Sequence, residues 1–255
     1  MTTFASFDGT ECWFDDHRDD ATDGVTVLLL HGFAADTNLN YVRAGILDAL
    51  VDEGFRTVVT DFRGHGLSAK PHDPAAYADD ALTRDVRALI DHLALSDVVV
   101  VGYSMGAGVA LRLGADPRVR AVVALGVGGA TLERADAPTR ADAPTLGDAF
   151  LVEDPDQITD PLARRFRRLA DSIRSDRLAL AACTAHPQPS AAASLRAVAV
   201  PVLVVAGADD DLAGDPAALA VRLPDARSVT VPGDHFTANA RPELHRALLE
   251  FLAEV

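Results

Sequence analysis

Six short runs of almost unbroken apolar residues constrain this chain more than any other feature. They are "VTVLLLHG" (25–32), "RTVVTDF" (56–62), "DVVVVGYS" (97–104), "AVVALGV" (121–127), "PVLVVAGA" (201–208) and "ARSVTVPG" (226–233). A strand with one wet face alternates apolar and polar residues, whereas a near-continuous run belongs to a strand covered on both faces. Helical patterns over 41–53, 81–95, 105–113, 216–223 and 241–253 alternate with the runs. That order predicts an α/β fold: a mostly parallel central sheet with right-handed crossovers, flanked by helices. Two weaker segments, "TFASFDG" and "ECWFDDH", are expected to form an antiparallel hairpin at one edge.

The rhythm breaks between residues 130 and 195, where no run reads as a strand. This region is expected to be a small helical cap inserted into a core made of 1–129 and 196–255. Within it Leu162, Phe166, Leu169 and Ile173 recur at spacings of four, three and four, one stripe of an amphipathic helix. Arg164, Arg165, Arg167 and Arg168 fall off that stripe and are expected to form a solvated basic face.

Charge narrows the partners. The chain carries 23 basic and 38 acidic side chains, a net −15, which argues against nucleic acid and anionic membrane surfaces. The apolar runs are far too short to span a bilayer. The opening "MTTFASFDGTE" has no basic region followed by an apolar one, so no leader and a cytoplasmic location are expected. Cys12 and Cys183 are expected as free thiols in a reducing compartment. The consecutive Asp209, Asp210 and Asp211 cannot all face one ion, and neither H-E-x-x-H nor paired C-x-x-C occurs; no metal or cofactor is expected. The partner is expected to be a small molecule. The oligomeric state is open.

"GYSMG" (102–106) sits where a strand turns directly into a helix. So tight a corner has no room for side chains at Gly102 and Gly106, and it projects the apex residue, Ser104, clear of the sheet. Serine is a poor nucleophile without a base in hydrogen-bond reach and a third group to orient that base. His235 follows the last run, at the same sheet edge as Ser104. His17, His72, His92, His186 and His245 read as solvated histidines of turns and polar faces. The orienting acid is expected among Asp209, Asp210 and Asp211, after another run. Side-chain alternation separates Asp210 from its two neighbours; Glu133 and Asp136 stand behind it as candidates. Backbone N–H groups of Met105, after the serine, and of Phe33, after "LLLHG", are placed to receive an oxyanion. Phe33, Tyr103, Phe166 and Phe236 are the expected substrate-binding side chains.

With "LLLHGF", "DFRGHGLS", "VGYSMGAG", "VVAGADDD" and "PGDHFTANARPE" in this order, the chain resembles the α/β-hydrolase superfamily, in its compact bacterial esterase-like and peroxidase-like branch. The resemblance covers the expected core; the insertion matches only in being helical. It implies the order Ser104, Asp210, His235, with the acid three residues after Gly207. It also implies that Arg63 and His65 pack a structural loop and that His31 shapes the oxyanion loop. The implied activity is hydrolysis of a carboxylic ester of a small to medium uncharged substrate through an acyl-enzyme. The same triad serves carbon–carbon bond hydrolysis, lactone opening, perhydrolysis and acyl transfer. Ligand sensing and cofactor-free oxygenation are different functions the same fold supports. Serine in place of aspartate at the apex argues against epoxide hydrolase and dehalogenase.

Overall fold

The computed structural model describes residues 2–18, 24–136, 145–186 and 195–255. Eight strands form one sheet: β1 (Thr2–Ala5), β2 (Glu11–His17), β3 (Thr26–Leu30), β4 (Arg56–Thr60), β5 (Val98–Tyr103), β6 (Val119–Leu125), β7 (Val202–Gly207) and β8 (Ala226–Val231). Their spatial order is β1-β2-β4-β3-β5-β6-β7-β8. The first two strands form an antiparallel edge hairpin, and β2 joins β4 antiparallel. Every pairing from β4 to β8 is parallel.

The apolar runs are continuous because both faces of the sheet are buried. Leu28, Leu30, Val98 and Val100 face one layer, where helices α2 (Ala81–His92) and α3 (Met105–Leu113) contribute Val86, Leu89, Val109 and Leu113. Val27, Leu29, Val99 and Val101 face the other, covered by α1 (Ile46–Asp52) and the C-terminal helix Pro242–Leu252 through Leu47, Leu50, Leu244 and Leu248. Each fully buried Val or Leu contributes about 1.5–3 kcal/mol relative to exposure.

The strand order reverses at β3. The chain goes from β3 to β4 on one side and then crosses to β5 on the other. In such sheets a crevice opens at the carboxyl ends of the strands flanking the reversal. The helix expected over 41–53 is shorter here. A π-helical turn, Asn38–Val42, comes first, and Gly45, at φ 77°, separates it from α1.

Between 130 and 195 every regular element among the described residues is helical: α4 (Gly129–Asp136), α5 (Asp148–Leu151), a 3-10 turn at Pro155–Gln157, α6 (Pro161–Ser172) and α7 (Arg177–Thr184). Residues 137–144 and 187–194 of the expected insertion lie outside the described residues. The stripe on α6 needs correction. The buried face is Ala163, Phe166, Arg167 and Ala170, while Leu162 is exposed. Arg167 does not belong to a solvated face. It is buried, and its guanidinium donates to the carbonyls of Ala149, Val152 and Glu153 and to the Asp171 carboxylate. A charge can be buried when its donors are met in this way. No helix among the described residues is long and apolar enough to cross a membrane.

Candidate active site

The turn from β5 into α3 sets the geometry of the site. Ser104 occupies its apex at φ 53°, ψ −109°, a region that costs a non-glycine residue about 1–3 kcal/mol. The corner tolerates no side chain beside it. A Cβ on Gly102 would lie 2.2 Å from the Gly106 carbonyl oxygen, and one on Gly106 would lie 2.1 Å from that of Leu30. The loop after β3 lies alongside with more room: a Cβ on Gly32 would sit 3.4 Å from the Ser104 Cβ, an ordinary contact.

His235 lies in the loop after β8, buried, with Nε2 2.9 Å from Ser104 Oγ. Its Nδ1 lies 2.8 Å from Asp210 Oδ2, in the loop after β7. With Nδ1–H donating to the carboxylate, Nε2 is left to accept the serine proton. Asp210 is itself buried and also accepts from the Leu212 and Ala213 amides at 3.1 and 2.9 Å. Asp209, Asp211 and Glu133 are exposed, and the side chain of Asp136 lies outside the described residues. Met105 opens α3, so its N–H has no carbonyl one turn back in the helix to bond.

A cleft of about 190 Å³ opens above these residues. Phe33, Tyr103, Phe166 and Phe236 all line it. Their contributions differ. Phe166 bridges two rings, with centroids 6.0 Å from Phe33 and 5.4 Å from Phe236. Tyr103 instead donates its hydroxyl to the His235 carbonyl at 2.8 Å, and burial pushes that phenol well above its usual pKa. Leu169 lines the cleft too, from the α6 stripe; Ile173 is not among the lining residues.

Two other histidines sit behind the site. His31 is fully buried, with Nδ1 2.7 Å from the Gly32 carbonyl and Nε2 accepting from the Phe62 amide at 3.0 Å. His65 is equally buried, and desolvation, with His31 beside it, lowers its pKa to about 3. Burial lowers the His31 pKa as well, so neither ring is favoured as a cation. Arg63 is fully buried between Asp8 and Asp85. His72 pairs with Asp176 at the surface, and His92 packs beside Phe4 and Phe14.

Asn40, Arg43 and Asn239 also line the cleft and were not nominated by the sequence. Asn40 Oδ1 accepts from the Gly32 N–H at 2.7 Å, and its carbonyl accepts from Asn239 Nδ2 at 3.0 Å. This buried bridge ties the loop after β3 to the loop carrying His235. No local pattern announces it, because "NLNY" and "TANA" read as ordinary turns.

A family model described as "alpha/beta hydrolase fold" matches residues 25–156, just over half of the chain. The chain belongs to the alpha/beta hydrolase fold family. Among curated alpha/beta hydrolase relatives, an "Epoxide hydrolase" of Caballeronia sordidicola is 37% identical over 84 residues, 33% of this chain and 25% of that protein. Partial matches of this kind span 25% to 36% of the relatives' own length. A "2-(acetamidomethylene)succinate hydrolase" of Mesorhizobium japonicum is 29% identical over 253 residues, covering 90% of this chain and 88% of that one. In fold, this alpha/beta hydrolase is similar to the enol-lactonase from Burkholderia xenovorans LB400. The TM-score is 0.73 at 24% identity, over 99% of this chain and 100% of that chain.

Proposed function

We propose that this alpha/beta hydrolase is a serine carboxylesterase acting on a small to medium uncharged ester through an acyl-enzyme. The observation that carries the reading is the hydrogen-bonded line from Ser104 Oγ through His235 to Asp210, 2.9 and 2.8 Å, at the floor of an aromatic cleft. His235 Nε2 takes the Ser104 proton as Oγ attacks the ester carbonyl carbon. The N–H groups of Phe33 and Met105 receive the oxyanion, where one such donor is worth about 3–4 kcal/mol. The imidazolium returns the proton to the leaving alkoxide, and the alcohol departs. Water, deprotonated by the same imidazole, then attacks the acyl carbon and releases acid and free serine.

The small cleft supports a small acyl group, since pockets for drug-sized ligands run to roughly 300–1,000 Å³. The apolar side of the lining, Phe33, Phe166, Leu169 and Phe236, supports an uncharged one, with Arg43 as the cation at the cleft. Serine at position 104, where epoxide hydrolases use a carboxylate, favours ester chemistry despite the likeness to the Caballeronia sordidicola enzyme. Apart from the hydrolytic water, every step uses groups of this chain and calls for no metal or cofactor. Buried free thiols at Cys12 and Cys183 fit a reducing, cytoplasmic setting.

A fluorophosphonate probe should label the native protein and leave Ser104→Ala unlabelled. That variant should lose at least about three orders of magnitude in aryl-ester turnover. Undiminished hydrolysis by Ser104→Ala overturns the reading.

A further inference from the structure

Helix α6 reaches out of the cap to grip both neighbours of His235 in sequence. Arg165 Nη2 donates to Asp234 Oδ2 at 2.6 Å, and its guanidinium carbon sits 3.9 Å from the centre of the Phe236 ring. The other carboxylate oxygen of Asp234 closes the turn, accepting from the Phe236 amide at 3.1 Å and the Thr237 hydroxyl at 2.7 Å. The Phe236 ring in turn lies 5.6 Å from the His235 ring and 5.4 Å from that of Phe166, one residue after Arg165 on α6.

We infer that Arg165 is a positioning residue for the proposed hydrolysis: its clasp on Asp234 and Phe236 lets the cap set where the His235 imidazole stands. The inference rests on the esterase reading above. A guanidinium can pair with a carboxylate and stack on a ring at once, and an ammonium cannot match that planar geometry. One arginine therefore fixes the side chains on both sides of the base. Arg165 and Phe166 share a helix, so an acyl group seated against Phe166 bears on the helix that holds His235. Burial tends to raise the Asp234 carboxyl, but hydrogen bonds from Arg165, Thr237 and the Phe236 amide outweigh it and lower the pKa to about 2. The clasp thus stays charged at any pH suited to an ester assay. The Arg165 side chain is 51% exposed, so salt reaches the pair.

The test compares full-length wild type with Arg165→Gln, Arg165→Lys and Asp234→Asn. Aryl-acetate kinetics and the rate of fluorophosphonate labelling are measured, with thermal melts alongside. Asp234→Asn keeps a carbonyl oxygen for the turn and turns an amide NH₂ toward Arg165, so it removes the Asp234 arm of the clasp while sparing the loop. Arg165→Gln and Asp234→Asn should each lower kcat and the labelling rate about tenfold, as small misplacements of catalytic groups do, with KM changed less than about twofold. Arg165→Lys should recover part of the loss. Raising salt from about 0.05 to 1 M should slow the wild type toward Arg165→Gln and leave that variant flat. If both variants stay folded with kcat and labelling within about twofold of wild type, the clasp positions nothing and the inference falls while the esterase reading stands. A wild type that neither hydrolyses the ester nor takes the probe overturns the reading and the inference with it.

Discussion

Three aspartates stand in a row after β7, and only the middle one turns inward. Asp210 is held by two backbone amides and by His235, while Asp209 and Asp211 face water. Under the proposed mechanism the carboxylate keeps the proton on Nδ1, so that Nε2 is free to act as base. Asparagine of the same shape can donate its NH₂ to Nδ1 and leave the imidazole in the wrong tautomer. Asp210→Asn should therefore fold normally yet lose up to about 10⁴ in kcat. Asp209→Asn and Asp211→Asn should stay within about threefold of wild type, as exposed positions do. The three are assayed side by side on one ester. An active Asp210→Asn beside a dead neighbour would move the orienting role one residue along the loop.

At the scale of elements, the strands are readable from sequence because two-sided burial leaves a pure apolar signal, and β3, β5 and β7 lie inside the runs that announce them. The elbow is equally plain, since steric exclusion at Gly102 and Gly106 leaves glycine as the workable residue. Helix α6 is harder to read. A hydropathy stripe counts apolar side chains only, so it picks Leu162 over Arg167. In the fold, four hydrogen-bonding partners bury the guanidinium instead. The Asn40–Asn239 bridge leaves no trace in local pattern because residues 199 positions apart meet only in the finished fold. The cleft then predicts which cap substitutions matter. Phe166→Ala and Leu169→Ala should change the ranking of acyl chain lengths by about 1–3 kcal/mol between adjacent sizes, the scale at which a pocket senses methylenes. Leu162→Ala, outside the cleft, should not. A ranking unchanged by both cleft variants would show that α6 does not border the acyl group.

At the scale of the whole molecule, an acidic chain is stitched by a few deeply placed cations. Arg63 is the clearest. It is fully buried, with Nε 2.7 Å from Asp85 Oδ2 and Nη1 2.8 Å from Asp8 Oδ2, and so ties the turn after β1 and helix α2 to the loop after β4. Arg63→Met removes the charge but not the volume, leaving the buried Asp85 carboxylate without its cation while the Ser6 hydroxyl still donates to it. The expected loss is about 3–5 kcal/mol, read as a lower urea midpoint. A midpoint equal to wild type would mean that Asp85 finds water or a proton at little cost. A last consequence follows from the strand ends that carry the site residues, after β3, β5, β7 and β8. A ribosome delivers them in that order, so the loop of Phe33 and then Ser104 emerge long before His235. Under the proposed reading, a half-made chain carries its nucleophile without a base and stays chemically silent until the last strand docks. Its first turnover would then wait on the docking of β8.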